Sequence, residues 1–168
     1  MNATHYIDGR RVTSEGNATI DVIDPSDGQK FGAIARGTAA DIDAAVRAAR
    51  QAMGEHFDGP WGATTALERG RLLAKLGAAV MQHHEELAQL EARDTGKALR
   101  VARNDATALA RYFEYYAGGC DKLHGDTLPY ERGYTVLTVR IPHGVTGHII
   151  PWNYPMQIAG RSVGASLA

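Results

Sequence analysis

At 168 residues the chain is long enough for one domain with a real core and too short for two of ordinary size. Its 44% hydrophobic and 22% charged residues are those of a globular protein, and a net charge of −1 gives no footing for nucleic acid or an anionic membrane surface as partner. No apolar run approaches the ~20 residues of a membrane span, the N-terminus lacks a signal-peptide pattern, and the single cysteine, Cys120, excludes an internal disulfide or a multi-cysteine zinc site.

The first segment reads as extended chain with turns. Tyr6 to Val12 predicts a short hairpin, because Asp8-Gly9 supplies a favoured two-residue turn. Thr19 to Ile23 alternates and is β-branched, and Asp24-Pro25-Ser26-Asp27-Gly28 stops it with turn chemistry. Another short strand is expected over Phe31 to Ala35.

Helices follow. Thr38 and Asp41 have capping-box spacing, and the segment behind them places Ile42, Ala45, Val46, Ala49 and Met53 on one face up to Gly54. Thr65 and Glu68 repeat that start, with Leu72, Leu73, Leu76, Ala79 and Val80 as the next apolar stripe. A segment carrying Leu87 and Leu90 runs to Gly96, a natural stop. From about Ala98 a further helix spaces Ala102, Ala106, Leu109, Phe113, Tyr116 and Cys120 three or four residues apart.

The character changes after Gly125. Glu131-Arg132-Gly133 predicts a turn, and Tyr134 to Ile141 alternates, with Thr135, Leu137, Val139 and Ile141 on one face. Val145 to Ile150 is a strand candidate, and a helix rich in small residues opens at Pro155. A strand leading into a helix opens a parallel α/β unit, which needs a return strand. The sequence therefore reads as the front part of a larger protein.

Few constellations carry chemistry. His83 and His84 are adjacent and point to different faces of a helix, and no His-Glu-x-x-His or phosphate-loop pattern is present; Lys97 lacks the glycine and hydroxyl that such a loop requires. Cys120 closes an apolar stripe and precedes Asp121, whose charge disfavours a thiolate. The informative stretch is Pro151-Trp152-Asn153-Tyr154-Pro155, between a strand candidate and a helix. Asn153 there is either a helix N-cap or a side-chain amide placed to donate to a developing oxyanion. Trp152 is either core or a flat wall for an aromatic ring.

The run from Pro142-His143-Gly144-Val145 through Ile149-Ile150-Pro151-Trp152-Asn153-Tyr154-Pro155 closely resembles the signature that opens the cofactor-binding sheet of the aldehyde dehydrogenase superfamily. Three landmarks agree in order: Tyr6-Ile7-Asp8-Gly9, Asp24-Pro25 with the capped helix behind it, and Glu91-Ala92-Arg93-Asp94-Thr95-Gly96-Lys97. The resemblance covers nearly the whole chain. Ile141 departs from it, since many members carry Glu before the proline.

The resemblance implies an α/β chain, the N-terminal part of a Rossmann-type domain with an oligomerisation hairpin. Residues 1–124 would form the N-terminal helical and strand part of the cofactor-binding domain. Residues 125–143 would be the hairpin, and 144–168 the first strand and helix of the dinucleotide-binding sheet. It implies NAD- or NADP-dependent oxidation of an aldehyde to a carboxylate through a cysteine thiohemiacetal, with NAD favoured. The nucleophile and general base would lie beyond Ala168.

By the same resemblance, Asn153 helps hold the oxyanion, and Ile149, Ile150, Pro151, Trp152 and Asn153 line the nicotinamide end of the cofactor. Val22, Ile23 and Asp94 match a monovalent-cation site of some members. The hairpin resembles the arm that pairs subunits into a homodimer or homotetramer. The expected partner is a small aldehyde, with no nucleic acid and no membrane, and the lone cysteine is compatible with a cytoplasmic location. A non-catalytic interaction module, or a CoA-acylating or phosphorylating semialdehyde dehydrogenase, is the alternative.

Overall fold

The computed structural model describes residues 2–168. In chain order the elements are β1 (Asn2–Ala3), β2 (His5–Ile7), β3 (Arg10–Val12), β4 (Thr19–Ile23), β5 (Lys30–Ala35), α1 (Ala39–Met53), α2 (Ala66–Gln82), α3 (His84–Thr95), α4 (Leu99–Gly119), β6 (Thr127–Leu128), β7 (Val136–Leu137) and α5 (Pro155–Leu167). The chain is mixed α/β, as expected.

Local chemistry sets most of these boundaries. Asp8 and Gly9 both take positive φ, 53° and 71°, and β2 and β3 pair antiparallel across them. β4 and β5 pair antiparallel, and β1 joins the far edge of β5 in parallel. Thr38 and Thr65 each cap a helix by accepting from the backbone N–H three residues on, while Asp41 and Glu68 bond back to the cap backbone. Gly96 ends α3 in the left-handed region at φ 73°. Its missing Cβ matters too, since one built there would lie 2.9 Å from Cγ of Pro25.

The core sits around α4. Helices α2, α3 and α5 all pack against it, which buries Ala102, Ala106, Leu109, Ala110, Phe113 and Cys120. Leu73 and Val80 of α2 and Ala88 of α3 close the same core. Glycines permit the closest approaches, Gly70 and Gly77 of α2 against α4, and Gly160 and Gly164 of α5 against Leu109, Tyr112 and Tyr116.

The apolar face of α1 lies outside this core: Ile42 is 62% exposed and the helix holds no buried residue. The bundle around α4 is filled by three other helices, and α1 lies outside against β2. The strand expected over Tyr134 to Ile141 shrinks to Val136–Leu137. Its partner β6 is only two residues long and is followed by Pro129, which has no N–H to extend the ladder.

Val145 to Ile150 forms no strand; residues 138–151 hold no regular secondary structure. A strand exists only by pairing, and no described strand pairs with this segment. It is held instead to the flank of α5, where His148 Nδ1 pairs with Ser162 Oγ and Thr146 Oγ1 with Ser166 Oγ at 2.6 Å.

Candidate functional site at the start of α5

Pro151, Trp152 and Asn153 form an exposed turn leading into α5. Ile149 is 99% exposed and Trp152 80%, so neither is core. Asn153 is not the helix cap. That position belongs to Tyr154, at φ −139° and ψ 55°, which makes no side-chain capping bond, and Pro155 opens the helix. Asn153 is exposed and its amide makes no hydrogen bond with a described residue, which leaves its N–H groups available as donors.

The first turn of α5 is secured from outside the helix. Glu91 of α3 accepts from the Met156 backbone N–H through Oε2 at 3.2 Å, the bond a capping side chain would normally supply. Through Oε1 the same carboxylate accepts from Lys97 Nζ at 2.6 Å. Lys97 Nζ also donates to Asp105 Oδ2 of α4 at 2.7 Å, and Gln157 Nε2 donates to Asp105 Oδ1 at 2.5 Å. The ammonium lies 4.4 Å from the ring centroid of Tyr154.

Burial makes this cluster costly unless fully paired. Glu91 is 4% exposed and Asp105 1%. Desolvation raises the Glu91 pKa, only partly offset by the bond from Lys97. Desolvation also opposes ionisation of Asp105, but bonds from Lys97 and then Gln157 hold its carboxyl below the ordinary range. Burial works against the Lys97 ammonium as well, yet its bonds to Asp105 and Glu91 raise its pKa overall and keep it charged. No buried side-chain nitrogen or oxygen among the described residues is left without a partner.

Sequence reasoning missed this cluster. In sequence Lys97 is part of the Glu91–Lys97 landmark and of an incomplete phosphate loop, and neither points to a buried ion cluster. The usable signal was Glu91 four residues after Leu87, and Asp105 beside Ala102 and Ala106: two acids on apolar helical faces. Such acids demand a buried cation.

The remaining candidates are placed as follows. Val22 is half-buried and Ile23 exposed, with the β4–β5 register shifting between them, and Asp94 is exposed near the end of α3. Arg93 Nε donates to Asp24 Oδ2 at 3.1 Å, and Gly96 abuts Pro25, so the end of β4 meets the end of α3. No cluster of three or more His, Cys, Asp or Glu side chains able to hold a metal occurs among the described residues. His84 Nε2 pairs with the Arg103 carbonyl oxygen at 2.8 Å and His83 Nδ1 with Glu86 at 2.9 Å. Cys120 is buried, its thiol donates to the Tyr116 carbonyl at 3.3 Å, and burial pushes its pKa up. A nucleophile needs the opposite. No described helix is long and apolar enough to cross a membrane.

Residues 12–168 match the model of the aldehyde dehydrogenase family. The chain is 42% identical over 163 residues to Aldehyde dehydrogenase family 2 member B4, mitochondrial, of Arabidopsis thaliana, covering 96% of this chain and 30% of that protein. Its fold is similar to a putative aldehyde dehydrogenase from Burkholderia cenocepacia, with TM-score 0.93 and 65% identity, over 98% of this chain and 34% of that one. It is also similar to the NAD+ complex of an aldehyde dehydrogenase from Bacillus cereus, with TM-score 0.94 and 38% identity over 99% of this chain and 34% of that one. The chain spans about a third of the length of these relatives.

Proposed function

Because the chain belongs to the aldehyde dehydrogenase family, we propose that it is the Asn153-bearing portion of an enzyme that oxidises an aldehyde to a carboxylate with NAD. The observation that carries this reading is the Asn153 amide, exposed and without a hydrogen-bond partner among the described residues, at the mouth of α5 beside an apolar turn. An amide N–H aimed at an aldehyde oxygen strengthens its hydrogen bond as negative charge builds there, which lowers the barrier to attack.

The exposed Ile149 and Trp152 suit a flat, weakly polar ring, so the residues present fit the nicotinamide end of the cofactor. NAD, when bound, supplies the acceptor for the hydride that leaves the aldehyde carbon. Ile149, Ile150, Pro151 and Trp152 would wall that ring and exclude water, while Asn153 serves the oxygen. The NAD+ complex of the Bacillus cereus relative supports NAD as a cofactor. Cys120 has no part in the chemistry, being buried and protonated.

The domain assignment follows from the same reading, with 1–124 and 144–168 belonging to the cofactor-binding domain and 125–143 to the subunit-pairing arm of a homodimer or homotetramer. The exposed Leu137, Val139 and Ile141 support the arm. Carbonyls at the Val22–Ile23 bulge, with Asp94, are the proposed monovalent-cation ligands. The lone cysteine suits a cytoplasmic location.

The test is aldehyde-dependent formation of NADH, with the carboxylate identified as product, in the protein that carries this segment. The 168-residue chain by itself is expected to give none. Turnover by the isolated chain that Cys120→Ser abolishes would overturn the assignment.

A further inference from the structure

We propose that the buried Lys97–Glu91–Asp105 cluster, with Tyr154, is a positioning device that fixes where the Asn153 amide points. The inference rests on the reading of Asn153 as an oxyanion donor. Among the described residues the cluster's hydrogen bonds and ring contact to this end of α5 fall on Tyr154, its N-cap, and on Met156 and Gln157 of its first turn, directly after Asn153. That turn has no side-chain cap of its own. Each anchor comes from a different element: Glu91 from α3, Lys97 from the connection after it, and Asp105 from α4.

Packing alone does not call for such a cluster. Well-packed apolar residues would serve stability as well as a buried ion triad does, or better. What the ions add is direction. Glu91 Oε2 accepts from the Met156 N–H at the N-terminus of α5, where the helix dipole presents its positive end. The Lys97 ammonium lies over the Tyr154 ring, so the residue next to Asn153 is held from its aromatic face. A donor preorganised in this way costs no reorganisation when the oxyanion forms.

Trp152 reports on the same turn. With Trp61→Phe it becomes the only tryptophan of the 168-residue chain, which has two. Lys97→Met leaves two buried carboxylates unpaired and threatens folding. Tyr154→Leu therefore carries the test, because it removes the ring and keeps the ions paired, and Tyr154→Phe restores the ring. Time-resolved anisotropy of Trp152 separates local motion from tumbling. The fast-component amplitude is expected to rise in Tyr154→Leu and to return to the parent value in Tyr154→Phe. In the protein that carries this segment, Tyr154→Leu is expected to lower kcat by up to about 10²-fold, with KM for NAD little changed.

An unchanged anisotropy in Tyr154→Leu would overturn the proposal. So would a loosened Trp152 with kcat intact in a protein whose Asn153→Ala variant loses kcat. If Asn153→Ala itself leaves kcat intact, it is the oxyanion reading that fails, while the anisotropy still decides whether the cluster orders the turn.

Discussion

Arg103 on α4 grips both oxygens of Glu85 on α3, Nε to Oε2 and Nη2 to Oε1, each at 2.8 Å. The side chains lie at the surface, yet the paired geometry has a measurable consequence. Bonds from Arg103 first, then from Gln89, lower the Glu85 pKa from 4.5 to about 2. A carboxyl whose folded pKa is depressed stabilises the fold above its unfolded pKa, and that stabilisation is lost as pH falls through the folded one. The thermal midpoint is therefore expected to fall as pH drops from about 4.5 towards 2, with a smaller drop in Glu85→Gln. Equal acid sensitivity in the two proteins would show that the α3–α4 pairing is inert.

Helix α2 reaches α4 through glycine. A Cβ built at Gly70 would lie 2.8 Å from the backbone oxygen of Ala117, an atom that cannot move aside. Gly70→Ala is expected to destabilise by about 1–3 kcal/mol through overpacking, despite a helix-propensity gain of ~1 kcal/mol. Gly118→Ala is the contrast, because a Cβ there meets nothing within 4 Å. It should be neutral or stabilising by up to ~1 kcal/mol. Urea denaturation of both variants measures the difference. A stabilised Gly70→Ala would mean that the helices are not in close contact at that point.

Much of this fold was legible because its signals are local. The two capping boxes, the Asp8-Gly9 turn and the Gly96 stop depend on three or four neighbouring residues, and each appears where expected. The α4 stripe was equally readable, since its period is intrinsic to the helix. What could not be read depends on distant partners. Val145 to Ile150 has the composition of a buried strand, but composition does not supply a neighbour to pair with. The Glu91–Lys97–Asp105 cluster joins α3, α4 and α5 and leaves only two acids on apolar faces as its trace. The residues alone left Asn153 open between cap and donor, the resemblance implied the donor, and the backbone at Tyr154 excludes the cap.

Exposed apolar side chains concentrate after α4. Leu128, Leu137, Val139, Ile141, Val145 and Ile149 all face solvent, and β6 and β7 form only a two-residue ladder. Short unprotected strands with apolar side chains are templates for association. The 168-residue chain is expected to self-associate in size-exclusion chromatography with light scattering. Leu137→Lys with Val139→Lys should shift it towards monomer. A monodisperse monomer of the parent chain would contradict this and favour a self-sufficient interaction module.

The central claim is that Asn153 donates to charge that exists only along the reaction path, and one comparison tests it directly. In the protein that carries this segment, kcat and the Kd for NAD are measured for the parent and for Asn153→Ala. The expected result is a loss of about 10²–10³ in kcat, the usual effect of removing one oxyanion donor, with the Kd for NAD unchanged. A variant whose kcat stays near the parent value would contradict the account and leave Asn153 a residue of the turn alone.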